Sequence, residues 1–186
     1  MPLRCIHRSG EVALLFTLCA TACFSEPPAP PGFAPLQLTS SSFSGAIPER
    51  YASCNGRPGI SPALSWSAPP AATRTFALIV TDPDAPFGTF VHWLVWNLPP
   101  TARSLPEAVP AQPQLPGGAL QGSNSYGNIG YVGPCPPGRS AHRYLFDLYA
   151  LDTAISLAPG AQKKQLLEAM QGHILATGRL IGRYPH

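Results

Sequence analysis

The chain has 186 residues, of which 45% are hydrophobic and only 11% charged, and its formal net charge is +3. That length suits one domain with a substantial core, and without a basic block or stripe nothing favours a nucleic-acid partner. The 24 prolines and 17 glycines describe a turn-rich fold and exclude a helical bundle.

Residues 1–22 read as an address. Arg4 and Arg8 precede an apolar run from Val12 to Ala20, and Thr21-Ala22-Cys23 follows. A basic start, a run too short to span a bilayer and small residues before a cut describe a secretory signal. Small residues directly before a cysteine also resemble the bacterial lipoprotein signal, in which Cys23 is lipidated and becomes the first mature residue. Ala20 departs from that pattern, where leucine is commoner, and Cys19 after Leu18 is a poorer candidate. Plain secretion and a misread start are the competing readings. Residues 23–35, proline-rich from Glu26 to Pro35, lack a core-forming face and favour an extended polyproline conformation. They suit a tether from a membrane surface, or a start with no role, ahead of a single domain over residues 36–186.

Of five cysteines, Cys5 and Cys19 leave with the signal and Cys23 takes lipid, which leaves Cys54 and Cys135. In an oxidising compartment such a pair reads as a disulfide. By the chain-entropy view, closing a loop of about 80 residues contributes roughly 4 kcal/mol. A metal site of Cys54, Cys135, His92 and His142 is the rival, without the close Cys-x-x-Cys spacing of structural zinc.

Leu36 to Phe43 alternates as a strand, Pro48 to Pro62 is turn-rich, and Ala63 to Ser67 is a short strand around Trp66. Thr75 to Thr81 and Phe90 to Leu98 are rich in β-branched and aromatic residues, as expected of buried strands. Thr101 to Gly138 predicts long surface excursions. His142 to Leu151 is the next strand, Gln162 to Ile174 an amphipathic helix with Leu166, Leu167, Met170 and Ile174 on one face, and Arg179 to Tyr184 a closing strand. Gly178 is expected to mark the helix exit, His173 to cap or charge its end, and Trp66 and Trp96 to be core. The fold class is therefore mainly β, with a helix near the C-terminus.

Between the two central strands lies Asp82-Pro83-Asp84-Ala85-Pro86. Proline lacks the N–H that a ladder needs, so the strand must stop at Asp82. Either the segment is only a tight turn or it is a stiff acidic loop that delivers carboxylates beside His92. A second loop, rich in proline and glycine, delivers His142 at the start of another strand.

These residues resemble a known family. Asp82-Pro83-Asp84-Ala85-Pro86, His92-Trp93 with Asn97-Leu98-Pro99, Gly133-Pro134-Cys135-Pro136-Pro137-Gly138 and His142-Arg143-Tyr144 follow the order and spacing of the phosphatidylethanolamine-binding protein family. The chain is similar to its bacterial, Raf-kinase-inhibitor-like branch from Leu36 to Tyr184. Ile60-Ser61-Pro62, Leu64-Ser65-Trp66, Leu120-Gln121-Gly122 and Glu168-Ala169-Met170-Gln171-Gly172-His173 extend the likeness. The resemblance implies a large antiparallel sheet packed on a smaller one, and a pocket for phosphate or phosphorylated head groups. Position by position, Asp82, His92, His142 and Tyr144 match the pocket. Pro83 and Pro86 shape its loop, Trp93 packs beside it, and Tyr131 and Gly133 match the opposite side. Asp84 matches a structural position. The family often holds a cis peptide in this loop, for which Ala85-Pro86 is the candidate. Arg139 is a departure at the mouth, and the C-terminal strand replaces the helix that partly covers the pocket in animal members.

Two imidazoles beside a carboxylate can hold an anion, with further donors from the Gly133 backbone and the Tyr144 hydroxyl. Binding is then expected to strengthen below about pH 6.5, where histidine charges. Catalysis would need a nucleophile. No Gly-x-Ser-x-Gly elbow is present, and Ser125 and Ser140 have no supporting motif. The expectation is thus a non-catalytic protein without a cofactor, in a bacterial envelope, lipid-anchored or released. Inhibition of an envelope or host protein and weak hydrolysis are the alternatives, and the branch resemblance implies a homodimer.

Overall fold

The computed structural model describes residues 33–138 and 140–185. The signal, Cys23, residues 24–32 of the tether, Arg139 and His186 lie outside these residues.

In chain order the strands are β1 (Ala34–Pro35), β2 (Leu38–Thr39), β3 (Leu64–Trp66), β4 (Thr75–Asp82), β5 (Phe90–Leu98), β6 (Ser104–Leu105), β7 (Leu120–Gln121) and β8 (His142–Leu151). Helix α1 (Lys163–Met170) and β9 (Ile174–Tyr184) complete the domain. The large sheet runs β1-β9-β8-β4-β5-β7, and the small one runs β2-β3-β6. The large sheet is mixed rather than wholly antiparallel, because β1 joins β9 in parallel.

Side chains in a strand alternate between faces, and here both faces are covered. Phe76, Leu78, Val80, Tyr144, Phe146 and Leu148 meet Leu38, Leu64, Trp66 and Leu105 of the small sheet. On the opposite face Ala77, Ile79, Leu94, Trp96 and Leu151 pack with Leu166 and Met170 of α1. The result is three layers, with β4, β5 and β8 central. Their near-continuous apolar character follows from burial on both faces.

Several elements depart from the pattern in the sequence. The strand expected over Leu36 to Phe43 is reduced to β2, because serine hydroxyls take over the backbone bonding beyond it. Ser40 Oγ donates to the Ala63 carbonyl at 2.6 Å, and Ser42 Oγ accepts from the Ala63 N–H at 2.9 Å. The helix ends at Met170, and Ile174 belongs to β9 instead. Gly178 is not a helix exit but a mid-strand position, where a Cβ would lie 2.5 Å from the Leu36 carbonyl oxygen. Only glycine admits that close approach. His173 Nδ1 donates to the Asp152 carboxylate at 2.8 Å. Thr101 to Gly138 is not merely surface: Leu105, Leu115 and Ala119 are core, and Gln121 is fully buried. The Gln121 amide donates to the carbonyls of Pro110 and Gln112, both at 2.8 Å, and accepts from the Trp93 indole at 2.6 Å. This one side chain ties the long segment to β5.

Candidate functional site

β4 ends where Asp82 faces Phe90 at the start of β5, and β8 begins beside them. The three chain ends that carry the candidate residues therefore meet at one end of the large sheet. A cavity of about 500 Å³ opens there, with Asp82, His92, Tyr144, Ser53, Ser125, Val132 and Gly133 among its lining residues. Pro86, Phe87, Thr89, Phe90, Tyr126, Pro136 and Pro137 surround them.

A β-bulge aims His92. Val80 pairs with Trp93, yet its neighbour Thr81 pairs with Val91, so His92 is an extra residue on β5. A regular strand would send His92 and Trp93 to opposite faces. The bulge instead lets His92 meet the Tyr144 ring, 5.1 Å between centroids, while Trp93 packs on Tyr131 at 5.7 Å.

The acidic loop is held from below. Asp82 Oδ2 lies 2.7 Å from His142 Nδ1, and Asp82 Oδ1 accepts the Asp84 N–H at 2.8 Å. Asp84 in turn accepts from the Arg143 backbone and Nε, both at 2.9 Å, and from Nη2 at 2.6 Å. Arg143 holds the Asp84 carboxyl down at about 2, well below the ordinary carboxylate range. No peptide bond among the described residues is cis, so the Ala85-Pro86 bond, the candidate for a cis peptide, is trans.

The facing wall, residues 131–137, is held differently. Cys54 and Cys135 form a disulfide with their Cα atoms 5.2 Å apart, which removes both cysteines from the alternative metal site. Ser53 Oγ accepts the N–H of Gly133 at 2.7 Å and of Gly59 at 3.1 Å. The Gly133 N–H is therefore not free for a ligand. Its lack of a side chain serves the chain's own packing, since a Cβ would come 2.1 Å from the Tyr51 carbonyl oxygen. Tyr131 likewise turns from the cavity and donates its hydroxyl to the Tyr51 carbonyl at 2.9 Å. Burial raises its pKa far above the ordinary value.

His92 joins the two walls. Its Nδ1 donates to the Val132 carbonyl at 2.7 Å, since a carbonyl only accepts. Burial pushes the ring down to about 4, against smaller opposing effects of that hydrogen bond and of Asp82. The expected gain of charge near pH 6.5 is thus overturned for His92, which is neutral at neutral pH. Tyr144 is buried and its hydroxyl has no partner among the described residues. Burial, and then Asp82, raise its pKa, so it remains a phenol able to donate.

Of the residues singled out in the sequence, Asp82, His92, Tyr144, Pro86 and Gly133 line the cavity. His142, Pro83, Trp93 and Tyr131 lie outside that lining. Sequence reasoning missed the aromatic mouth. Phe87 is fully exposed and Tyr126 is 68% exposed, while Phe90 stacks edge-on with Tyr126 at 5.0 Å. The Phe87-Gly88 that follows the acidic loop was the available signal. A neighbouring hollow of about 560 Å³ beside Lys163 and Lys164 is comparable in size. Its buried polar side chain, Asn124, is already bonded to the Gly130 carbonyl and to two backbone N–H groups.

Fold and site together define a two-sheet β protein with a ligand-sized cavity at the end of its larger sheet. The family model described as phosphatidylethanolamine-binding protein matches residues 39–185, and the chain belongs to this family. A UPF0098 protein of Methanothermobacter thermautotrophicus is 51% identical over 140 residues, 75% of this chain and 91% of the relative. A UPF0098 protein of Chlamydia muridarum is 47% identical over 156 residues, 80% of this chain and 98% of the relative. Among solved structures, a putative phosphatidylethanolamine-binding protein homologue from Chlamydia trachomatis is 46% identical with a TM-score of 0.73. That match covers 82% of this chain and 98% of the other. YbcL of E. coli, described as a new member of the mammalian family, is 33% identical with a TM-score of 0.74, covering 82% and 99%.

Proposed function

We propose that this protein binds a small phosphorylated molecule, such as phosphate or a phosphorylated head group, without transforming it. The observation that carries the reading is the convergence of His92, Asp82 and Tyr144 on one cavity under an aromatic mouth, with the buried Tyr144 hydroxyl left without a partner among the described residues. An unpaired buried hydroxyl costs free energy that a ligand oxygen would recover. Membership of the family supports the same ligand class. A binding rather than catalytic role is favoured because no hydroxyl among the described residues is hydrogen bonded to the His92 or His142 ring. Ser125 Oγ instead accepts the Val91 N–H at 2.8 Å. The disulfide suits an oxidising compartment, which favours the cell envelope, with anchoring through Cys23 and pairing as a homodimer as further parts of the proposal. A second reading, as a binding module for an envelope or host protein, draws on the exposed Phe87 and Tyr126 at the mouth.

The test is a two-dimensional NMR titration of the full chain with phosphate and with phosphoethanolamine, following the His92 and His142 rings. Saturable shifts that Tyr144→Phe weakens are the expected result. Silent rings, with shifts confined to Phe87 and Tyr126 on adding candidate proteins, would favour the second reading.

A further inference from the structure

A second hollow lies at the far end of β5. Phe90 opens that strand and lines the first cavity, whereas Leu98 ends it and lines the hollow, roughly 25 Å away along the strand. The hollow holds about 290 Å³. Its floor is Leu98, Leu105, Leu115 and Ala119, all buried. Leu105 belongs to β6, at the edge of the small sheet, and Ala119 precedes β7, at the edge of the large one, so the hollow sits between the two sheets along one side. The half-buried Val109 and three exposed prolines, Pro106, Pro110 and Pro116, form the rim. Among the described residues no polar or charged side chain lines it.

The fold holds this hollow open. Ser61 accepts the N–H of Val109 through Oγ and that of Ala108 through its carbonyl, both at 2.9 Å. The Gln121 amide ties down the carbonyls of Pro110 and Gln112, and the Leu115 N–H donates to the Ala119 carbonyl at 2.7 Å. Proline fixes φ, so the rim is stiff as well as tied. Walls that are held apart and offer no side-chain hydrogen bond gain only from an apolar occupant. A peptide segment would bring backbone N–H and C=O groups that find no side-chain partner here, and a charged group would lose its hydration without a replacement. A hydrocarbon chain needs neither.

We propose that this hollow is a second binding site, which takes the alkyl chain of a single-chain amphiphile and leaves its polar head in water at the proline rim. A dry cavity of about 150 Å³ takes up benzene, and about twice that room suits a straight chain of roughly ten carbons. The site is independent of the phosphate reading of the first cavity, and either can fail alone. It also has a reporter inside the core. Gln121, which bonds the rim at Pro110, accepts the Trp93 indole N–H through its side-chain oxygen at 2.6 Å. An occupant that presses on Pro110 therefore shifts the Trp93 indole signal through Gln121.

The test titrates the full chain with hexyl, octyl, decyl and dodecyl glucosides, each below its micelle concentration, by calorimetry and methyl NMR. Expected are cross-peaks from alkyl protons to the methyls of Leu98, Leu105, Leu115 and Val109, together with a shift of the Trp93 indole N–H. Affinity should rise about two- to fourfold per methylene and level off near about ten carbons. Val109→Trp, which fills the hollow from its rim, should weaken octyl glucoside at least about tenfold. A folded Val109→Trp that binds as tightly as the unaltered protein overturns the site. So do affinities that ignore chain length, or alkyl contacts found at Phe87 and Tyr126 instead. Cross-peaks from the hollow's methyls to Phe24 or to prolines from Pro27 to Pro31, in the protein alone, would give the hollow to the chain's own segment and overturn the amphiphile. Shifts of those methyls that grow with protein concentration would give it to a second copy, with the same result. Should Val109→Trp fail to fold, the methyl contacts and the dependence on chain length in the unaltered protein decide.

Discussion

The two walls of the cavity are held in place by different chemistry. The acidic loop, Asp82 to Pro86, is held by its carboxylates: Asp82 hydrogen bonded to His142 and Asp84 in the fork of Arg143. The facing wall, residues 131–137, is held by a disulfide, a serine hydroxyl that accepts two backbone N–H groups, and a glycine pressed on the Tyr51 carbonyl. The first wall should respond to pH and salt, the second to reductant. His92, on β5 but bonded to the second wall, links the two responses.

Replacing both Cys54 and Cys135 by alanine probes the second wall alone. The loss expected is about 4 kcal/mol from the freed chain entropy, read by urea denaturation, with little change in its salt dependence. A loss as small as that of a surface substitution would mean that Ser53 and Gly133 suffice to hold this wall.

Acid tests the link. The folded pKa of His92 is depressed from 6.5 to about 4, so between those values the unfolded chain takes up a proton that the folded one refuses. Stability from this group is complete above pH 6.5 and declines as pH falls toward 4, by about 3 kcal/mol in total. His92→Gln should flatten that part of the stability profile, and an unchanged slope would assign it to another group.

The first wall is broken more gently. Arg143 and Asp84 are partly exposed, with side-chain accessibilities of 42% and 30%, so solvent screens the pair. Asp84→Asn is expected to cost about 1 kcal/mol, diminishing in high salt, by thermal denaturation at pH 7. In the unaltered protein the same contribution is present above the ordinary carboxyl pKa and is lost as pH falls through about 2. The smallest effect belongs to Tyr144→Phe. Its hydroxyl has no partner among the described residues, so stability should stay within about 0.5 kcal/mol while ligand affinity drops. A large destabilisation would show that the hydroxyl is bonded within the protein after all.

Much of the site could be read because prolines and histidines punctuate it. Asp82 ends β4 where the first proline forbids the ladder, and β5 and β8 run over the residues that their β-branched and aromatic content marked. Less legible was the conduct of hydrogen bonds over long separations. Gly133 was expected to offer its N–H to a ligand but donates to Ser53, 80 residues away in the chain. Tyr131 was expected on the wall and instead reaches Tyr51, also 80 residues distant. The helix boundary was misjudged because Ile174 suits the helical apolar stripe and the strand core equally well.

The amino-acid sequence by itself determined the family, the three central strands, the acidic loop, the pairing of Cys54 with Cys135 as the leading reading, and the identity of the side chains that could meet a ligand. These follow from local stereochemistry and pattern: proline cannot join a ladder, alternation sorts strand faces, and the motifs keep their order. Tertiary structure alone decided which of those groups are free. The bulge at His92, the burial that keeps its ring neutral, the capture of the Gly133 N–H by Ser53 and the exposure of Phe87 and Tyr126 all depend on segments distant in the chain. A side chain's type is local, but its protonation and its unspent hydrogen bonds depend on what the fold packs against it.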